Sequence, residues 1–258
     1  MPLVLLPPSE TKREVLTGPK LNLKKLAFPE LISARQEVQS ALIKLSSGPK
    51  SKARSALKLT ANQDAQLELN QRLATAPTAP AWQVYDGVLY DALGASSLSQ
   101  KSLNRLCEIA FVQSALYGLI SLGDSIAPYR LSGDCNLPKV GSIATFWNRH
   151  LSNDLLGNSE LLIDLRSGIY AKHLSLPDCE TTVIPKIMQR MKSGPPKVVS
   201  HHSKATKGRI LRALVESRRK VTSVTAFAEL VATLDADVEL KRLSAKSEIQ
   251  VLEVVVDL

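Results

Sequence analysis

The chain opens with a short continuous apolar run, Leu3 to Leu6, closed by Pro7 and Pro8, which cannot donate to a ladder. The run predicts a first buried strand, with Ser9 to Lys12 as the loop after it. Leu31, Ala34, Val38, Ala41, Leu42 and Leu45 then recur at three- and four-residue spacing, which predicts a helix from about Pro29 to Leu45. Ser46-Ser47-Gly48-Pro49 breaks it, and a short second helix is expected from Ser51 to Leu59. Alanine, threonine and proline crowd residues 74–81, which marks a loop. Further apolar runs predict buried strands at Ile109 to Ser114, Leu161 to Leu165, Thr181 to Ile184, Lys197 to Ser200 and Ile249 to Val256, with a helix over Ser223 to Leu234. The alternation of strands and helices points to an α+β fold in which residues 1–258 form a single compact domain, a mixed β-sheet flanked by helices.

Composition narrows this picture. A hydrophobic fraction of 44% over 258 residues fits a folded globular chain, and no segment reaches the ~20 apolar residues of a membrane span. No membrane association is expected. The opening MPLVLLPPSETK lacks the basic lead and long apolar core of a secretory signal, so a cytoplasmic location is expected. Cys107, Cys135 and Cys179 are widely spaced and form no C-x-x-C pair, which supports neither a disulfide framework nor a cysteine zinc site. The net charge of +9 is unevenly placed: residues 1–60 hold 11 Lys and Arg against 4 acids, and residues 186–220 hold 11 against 1. If folding brings the two segments together, they form one basic cleft for a polyanion.

The segment SHHSKATKGRILR, Ser200 to Arg212, concentrates cations near a predicted helix start, where free backbone N–H groups already attract anions. Ile210, Leu211, Leu214 and Val215 fix the inward face of that helix, so Arg209 and Arg212 look outward and Lys207 lies inward. Gly208, placed in the first turn, suggests close approach of the backbone to a ligand. In the first cationic segment, the two helices at residues 29–59 make a helix-hairpin-helix candidate carrying Lys50, Lys52, Arg54 and Lys58. Between them, LYGLISLGDSIAPYRL reads as a rigid loop after a strand, holding Asp124, Tyr129 and Arg130 close together.

The ordered motifs LLPPSETK, YDGVLYDAL, ALYGLISLGDSIAPYRLSGD, DLRSGIYAK and SHHSKATKGRILR cover nearly the whole chain. In them it resembles the YaaA family, named for a peroxide-stress protein, and its actinobacterial branch in particular. The resemblance implies a helix-hairpin-helix element, a basic cleft that binds double-stranded or distorted DNA, and a part in tolerating hydrogen peroxide. It carries over to Lys12, to Tyr117, Gly118, Asp124, Pro128, Tyr129 and Arg130, to Tyr170 and Lys172, and to Lys204, Lys207, Gly208 and Arg212. Other branches read N-L-A-S-x-E-Y-x-K in the fourth motif. Here Asp164 replaces the asparagine, Arg166 the alanine and Ile169 the glutamate.

Two functions follow as expectations. In the first, Lys12, Lys50, Lys52, Arg54, Lys172, Lys204, Lys207 and Arg212 contact DNA phosphates with slight sequence preference. In the second, Asp124, Tyr117, Arg130 and Lys204 line a catalytic pocket beside Ser9 and Lys12 that acts on a nucleotide or damaged base. A metal role for the adjacent pair His201-His202 ranks third, because neighbouring side chains on a strand point to opposite faces; no metal or cofactor is expected. The oligomeric state is left open.

Overall fold

In the computed structural model, which describes residues 1–157, 159–198 and 201–257, the apolar runs become the strands of one sheet. These are β1 (Pro2–Leu6), β2 (Ala110–Ser114), β3 (Gly118–Ser121), β4 (Leu161–Asp164), β5 (Thr182–Gln189), β6 (Lys197–Val198), β7 (Ala236–Arg242) and β8 (Gln250–Val256). Their order is β7-β8-β5-β4-β1-β2-β3, with β6 on the free stretch of β5. Pairing is parallel from β8 through β5, β4 and β1 to β2, and antiparallel at β7, β3 and β6. The parallel core makes the arrangement α/β rather than the α+β expected from the element count. Parallel neighbours need crossovers, and helices supply them.

The helices are α1 (Ile32–Ser46), α2 (Lys50–Leu57), α3 (Ala65–Gln71), α4 (Ala81–Val84), α5 (Val88–Leu93), α6 (Gln100–Ile109), α7 (Ile143–His150), α8 (Gly168–Ala171), α9 (His201–Glu216) and α10 (Val224–Ala232). None among the described residues is long and apolar enough to cross a membrane. Ser99, Ser142 and Ser223 cap α6, α7 and α10 by accepting from a backbone N–H three residues on. The crowded stretch before α4 is a connection that forms a short pair, Ala79–Pro80 with Ser125–Ile126.

Three further expectations change. The segment read as a rigid loop contains β3, because Gly118 at φ +69° turns the chain back on β2. A Cβ there would stand 2.6 Å from the Trp147 ring, so glycine is also the only residue that fits under that indole. The strand expected to reach Ser200 covers Lys197–Val198; Val199 and Ser200 lie outside the described residues.

The third change concerns α9. It begins at His201, so Gly208 lies in its third turn instead of its first, and its neighbour is a helix instead of a ligand. A Cβ on Gly208 would meet the Leu89 carbonyl oxygen at 2.2 Å, Ala92 Cβ at 2.9 Å and the Leu93 amide at 3.0 Å, all on α5. Gly208→Ala is therefore expected to destabilise the fold by about 1–3 kcal/mol despite alanine's better helix propensity, because α5 and α9 must separate. A thermal unfolding midpoint equal to or above that of the unaltered protein would contradict this packing.

The chain leaves β1 toward β2 on one side and later returns to lay β4 on the other. The strand order thus reverses between β1 and β4, the switch point beyond whose carboxyl ends open parallel sheets bind ligands.

Candidate functional site

The segments that leave β1 and β4 meet at this switch point, and helices from elsewhere in the chain brace them. Tyr90 of α5 donates to the Pro7 carbonyl at 2.7 Å, and Leu165 N–H donates to the Leu5 carbonyl at 2.8 Å. Lys207 of α9 reaches the carbonyls of Leu165 and Arg166 at 3.0 and 3.1 Å, and burial pulls its pKa down. As expected it lies inward, but its ammonium holds backbone.

Lys12 is the centre of the site. Its Nζ donates to the Ser9 carbonyl at 2.7 Å and sits 4.1 Å from the centre of the Tyr129 ring, with Tyr85 at 5.8 Å. Behind it, Tyr85 and Tyr129 share a hydrogen bond at 3.2 Å, and Tyr129 meets Ser114 Oγ at 2.8 Å, all buried. Burial lowers the Lys12 pKa to about 7, with Glu10 opposing the shift and Arg130 adding to it. Burial also raises the Tyr85 phenol to about 12, so the tyrosines remain protonated around this amine.

Above Lys12, Arg130 Nη1 pairs with Glu10 Oε2 at 2.7 Å, and the Tyr170 hydroxyl donates to Glu10 Oε1 at 3.5 Å. Gly133 N–H donates to the Tyr170 oxygen at 3.2 Å, and the Gly133 carbonyl faces His173 Nε2 at 3.3 Å. Burial holds His173 down at about 4, so it is neutral at physiological pH. Asn70 of α3 clamps the Arg130 backbone from both sides, accepting from its N–H at 2.8 Å and donating to its carbonyl at 2.9 Å. Arg130 Nε is buried with no partner among the described residues.

The lowered pKa of Lys12 has a consequence for stability. The unfolded chain keeps this proton up to the ordinary value of 10.5, whereas the folded chain releases it near pH 7. Stability therefore rises with pH between those limits, and the burial penalty is complete below pH 7. Lys12→Met is expected to stabilise the protein most at pH 6, with the advantage shrinking toward pH 10; a difference that ignores pH across urea titrations would contradict the shift.

The other expected residues divide into three groups. Arg130 joins Lys12, and Tyr117 packs edge-on against Tyr129 at 5.3 Å, although its own hydroxyl donates to the Ala127 carbonyl. Asp124 does not join them. Its Oδ2 accepts from the Ala27 and Ser121 amides at 2.9 and 3.0 Å, facing the buried Arg35, while burial raises its pKa. The expected four-residue catalytic grouping is therefore split, because Asp124 folds back to close the turn after β3.

The remaining cations lie on the helices. Lys50 and Arg54 on α2 both pair with Asp64, and Arg212 caps α5 through the Leu93 and Gly94 carbonyls while pairing with Glu216. The outward orientation expected for Arg212 is thus only partial. Lys52, Lys172 and Lys204 are exposed and form no ion pair among the described residues. Lys52 shares a groove with Lys44 and Lys139, floored by Ala41, Leu45 and Pro138. Lys58, at the end of α2, pairs with Asp134 next to Gly133, which links the helical pair to the rim of the Lys12 site. The side chains of His201 and His202 lie outside the described residues.

Arg35, which the sequence expectations do not include, carries a legible signal: it falls on the apolar stripe of its own helix between Leu31 and Val38. It is fully buried and donates to the carbonyls of Tyr117, Ala27 and Leu119. Glu10, Ser114, Asn70 and His173 carried no comparable pattern, since only tertiary structure brings them to the site.

Residues 2–233 match the family described as peroxide stress protein YaaA. A UPF0246 protein of Corynebacterium efficiens is 38% identical over 242 residues, covering 92% of this chain and 95% of that protein. A UPF0246 protein of Corynebacterium glutamicum is 39% identical over 239 residues, 89% of this chain and 94% of that one. One from Streptomyces coelicolor is 35% identical over 239 residues, 92% of each.

Proposed function

The chain belongs to the peroxide stress protein YaaA family, and from that premise we propose that it serves the oxidative stress response by binding DNA through its phosphates. The observation that supports this reading is a set of exposed lysines, Lys52, Lys172 and Lys204, that form no ion pair among the described residues. Lys204 stands one turn before Lys207, which grips the segment after β4, and Lys172 follows α8 on that same segment. Lys52, with Lys44 and Lys139, lies on the helical pair whose last turn is tied through Asp134 to the Gly133 loop. In this reading α1, α2 and the turn Ser47–Pro49 act as a helix-hairpin-helix element. Lys50, Arg54, Lys207 and Arg212 hold the hairpin and α9 in position, and Lys12 and Arg130 form the floor of the basic cleft.

Phosphate contacts carry no base information, so unrelated duplexes of equal length are expected to bind within a few fold of one another. A duplex with an unpaired bubble is expected to bind at least as well as a fully paired one. Fluorescence anisotropy with labelled oligonucleotides tests both; no binding at low salt would refute the reading.

A second reading, an enzyme acting on a nucleotide or damaged base in the same cleft, is favoured by one observation. Lys12 is a partly buried amine with a pKa lowered to about 7, beside a carboxylate and an arginine, and perturbed groups of this kind cluster at reactive sites.

A further inference from the structure

The geometry at Lys12 points to a defined chemistry. We propose that Lys12 is an amine nucleophile that forms an imine with the aldehyde of a ring-opened 2-deoxyribose phosphate, the sugar left at a DNA strand when its base is lost. The inference rests on the second reading above and names its substrate class.

Three features of the site carry it. First, Lys12 Nζ is fixed rather than free: the Ser9 and Glu10 carbonyls accept from it at 2.7 and 3.4 Å, and the Tyr129 ring covers another side. A lysine tethered in this way reaches one spot instead of sweeping the surface, which orientation in catalysis requires. The groups facing it are Glu10 from its own loop, Arg130 from the loop after β3, and Tyr85 and Tyr129 behind it. Desolvation by this surround leaves a large neutral fraction at pH 7 to 8, the form that attacks a carbonyl.

Second, Glu10 has its carboxylate on the outer side of the site, half exposed, and contacts both Arg130 and Tyr170. A carboxylate beside an amine nucleophile can carry protons to and from a bound sugar. Third, Arg130 brings its buried, unpartnered Nε to the same place. A buried donor without a partner is costly, and a phosphate oxygen would satisfy it. An amine, a proton carrier and an anion donor therefore meet at Glu10, which both Lys12 and Arg130 contact.

The step balances without an oxidant or reductant. The neutral Lys12 amine adds to C1′ of the aldehyde, the carbinolamine loses one water, and C=N replaces C=O. With a 3′-phosphate present, Glu10 removes a C2′ proton. The electron pair moves into a C2′–C3′ double bond and the 3′ C–O bond breaks to release phosphate. Water then hydrolyses the imine, which returns the Lys12 amine and frees an unsaturated aldehyde. An imine can be fixed by adding sodium borohydride, which reduces C=N to a stable secondary amine.

The experiment incubates the full chain with borohydride and, in separate arms, a duplex bearing one abasic site, the same duplex with a tetrahydrofuran in its place, and free 2-deoxyribose 5-phosphate. Adducts are read by mass spectrometry and mapped by peptide digestion, and duplex binding is measured on the same preparations. The expected result is a covalent adduct on Lys12 in the aldehyde arms and none with tetrahydrofuran. Lys12→Ala and Lys12→Arg are expected to lose at least about 100-fold of the trapped product, a loss typical of removing a nucleophile. Both variants are checked for an intact thermal transition, and Arg keeps the positive charge. An adduct with the abasic duplex assigns the strand-borne sugar; an adduct with the free sugar phosphate alone assigns the small molecule. No adduct in either aldehyde arm, or an adduct that persists in Lys12→Ala, overturns the proposal. Duplex binding without an adduct sinks this inference and leaves DNA binding standing, whereas an adduct on the free sugar without duplex binding does the reverse.

Discussion

Asp164→Ala is expected to destabilise the protein by about 3–5 kcal/mol, the range for breaking a buried ion pair from one side. Asp164 Oδ1 accepts from the Arg166 backbone N–H and from Nε, both at 2.9 Å, and Oδ2 accepts from Nη2 at 3.0 Å. The Arg166 side chain is 1% exposed and that of Asp164 5% exposed, so neither charge has water to fall back on. The remaining Arg166 donor, Nη1, reaches the Leu174 carbonyl at 2.9 Å, which secures the segment after β4 on which Lys172 stands. Removing the carboxylate leaves a guanidinium buried with one partner.

The same geometry explains two departures from the fourth motif together. The two positions at which the resemblance implied asparagine and alanine hold Asp164 and Arg166 here, and these form one bonded pair. The double variant Asp164→Asn with Arg166→Ala is accordingly expected to recover most of the loss seen with Asp164→Ala, because it removes both buried charges. Urea denaturation of the three proteins measures this. A single-variant cost below about 1 kcal/mol, in the range of exposed pairs, would show that the pair contributes little.

The second large effect concerns DNA. If Lys52, Lys172 and Lys204 each neutralise one phosphate, replacing all three with alanine is expected to reduce the slope of log K against log salt by about 2.7, at about 0.9 per contact. The loss of affinity should be uniform across sequences, since none of these contacts reads a base. All three are exposed and outside ion pairs among the described residues, so the variant's thermal stability should stay close to that of the unaltered protein. An unchanged slope would remove these lysines from the interface.

Much of the scaffold was legible from apolar spacing. β1, β2 and β4 are buried almost throughout in a parallel core, so their sequences are mostly apolar, and α1 keeps a stripe at helical spacing. β3 and β7 were not legible, for different reasons. β3 exists because Gly118 turns the chain under Trp147, a tertiary event that a four-residue stretch does not announce. β7 is an edge strand whose exposed Glu239 and Lys241 carry polar character, and Lys241 pairs across to Glu253 of β8 at 2.6 Å. The parallel core also follows from which strands become neighbours, something the order of elements alone left open.

The candidate site was legible in parts. Lys12, Tyr129, Arg130 and Tyr170 stood out by type and by their places in the motifs, and the fold brings them together. Their roles were not readable, because these depend on burial. Lys12 stands out for its lowered pKa, while Asp124, equally prominent in sequence, closes a turn on two amides. Gly208 shows the same limit: a glycine inside a helix signals a demand at that position, but only the fold shows that the demand comes from α5.

The most direct test of the account is a salt titration of the unaltered protein binding a short duplex. With Lys44, Lys52, Lys139, Lys172 and Lys204 on phosphates, log K is predicted to fall with log salt at a slope of about −4.5. Affinity that stays constant from dilute to physiological salt would contradict a phosphate-binding role for these lysines.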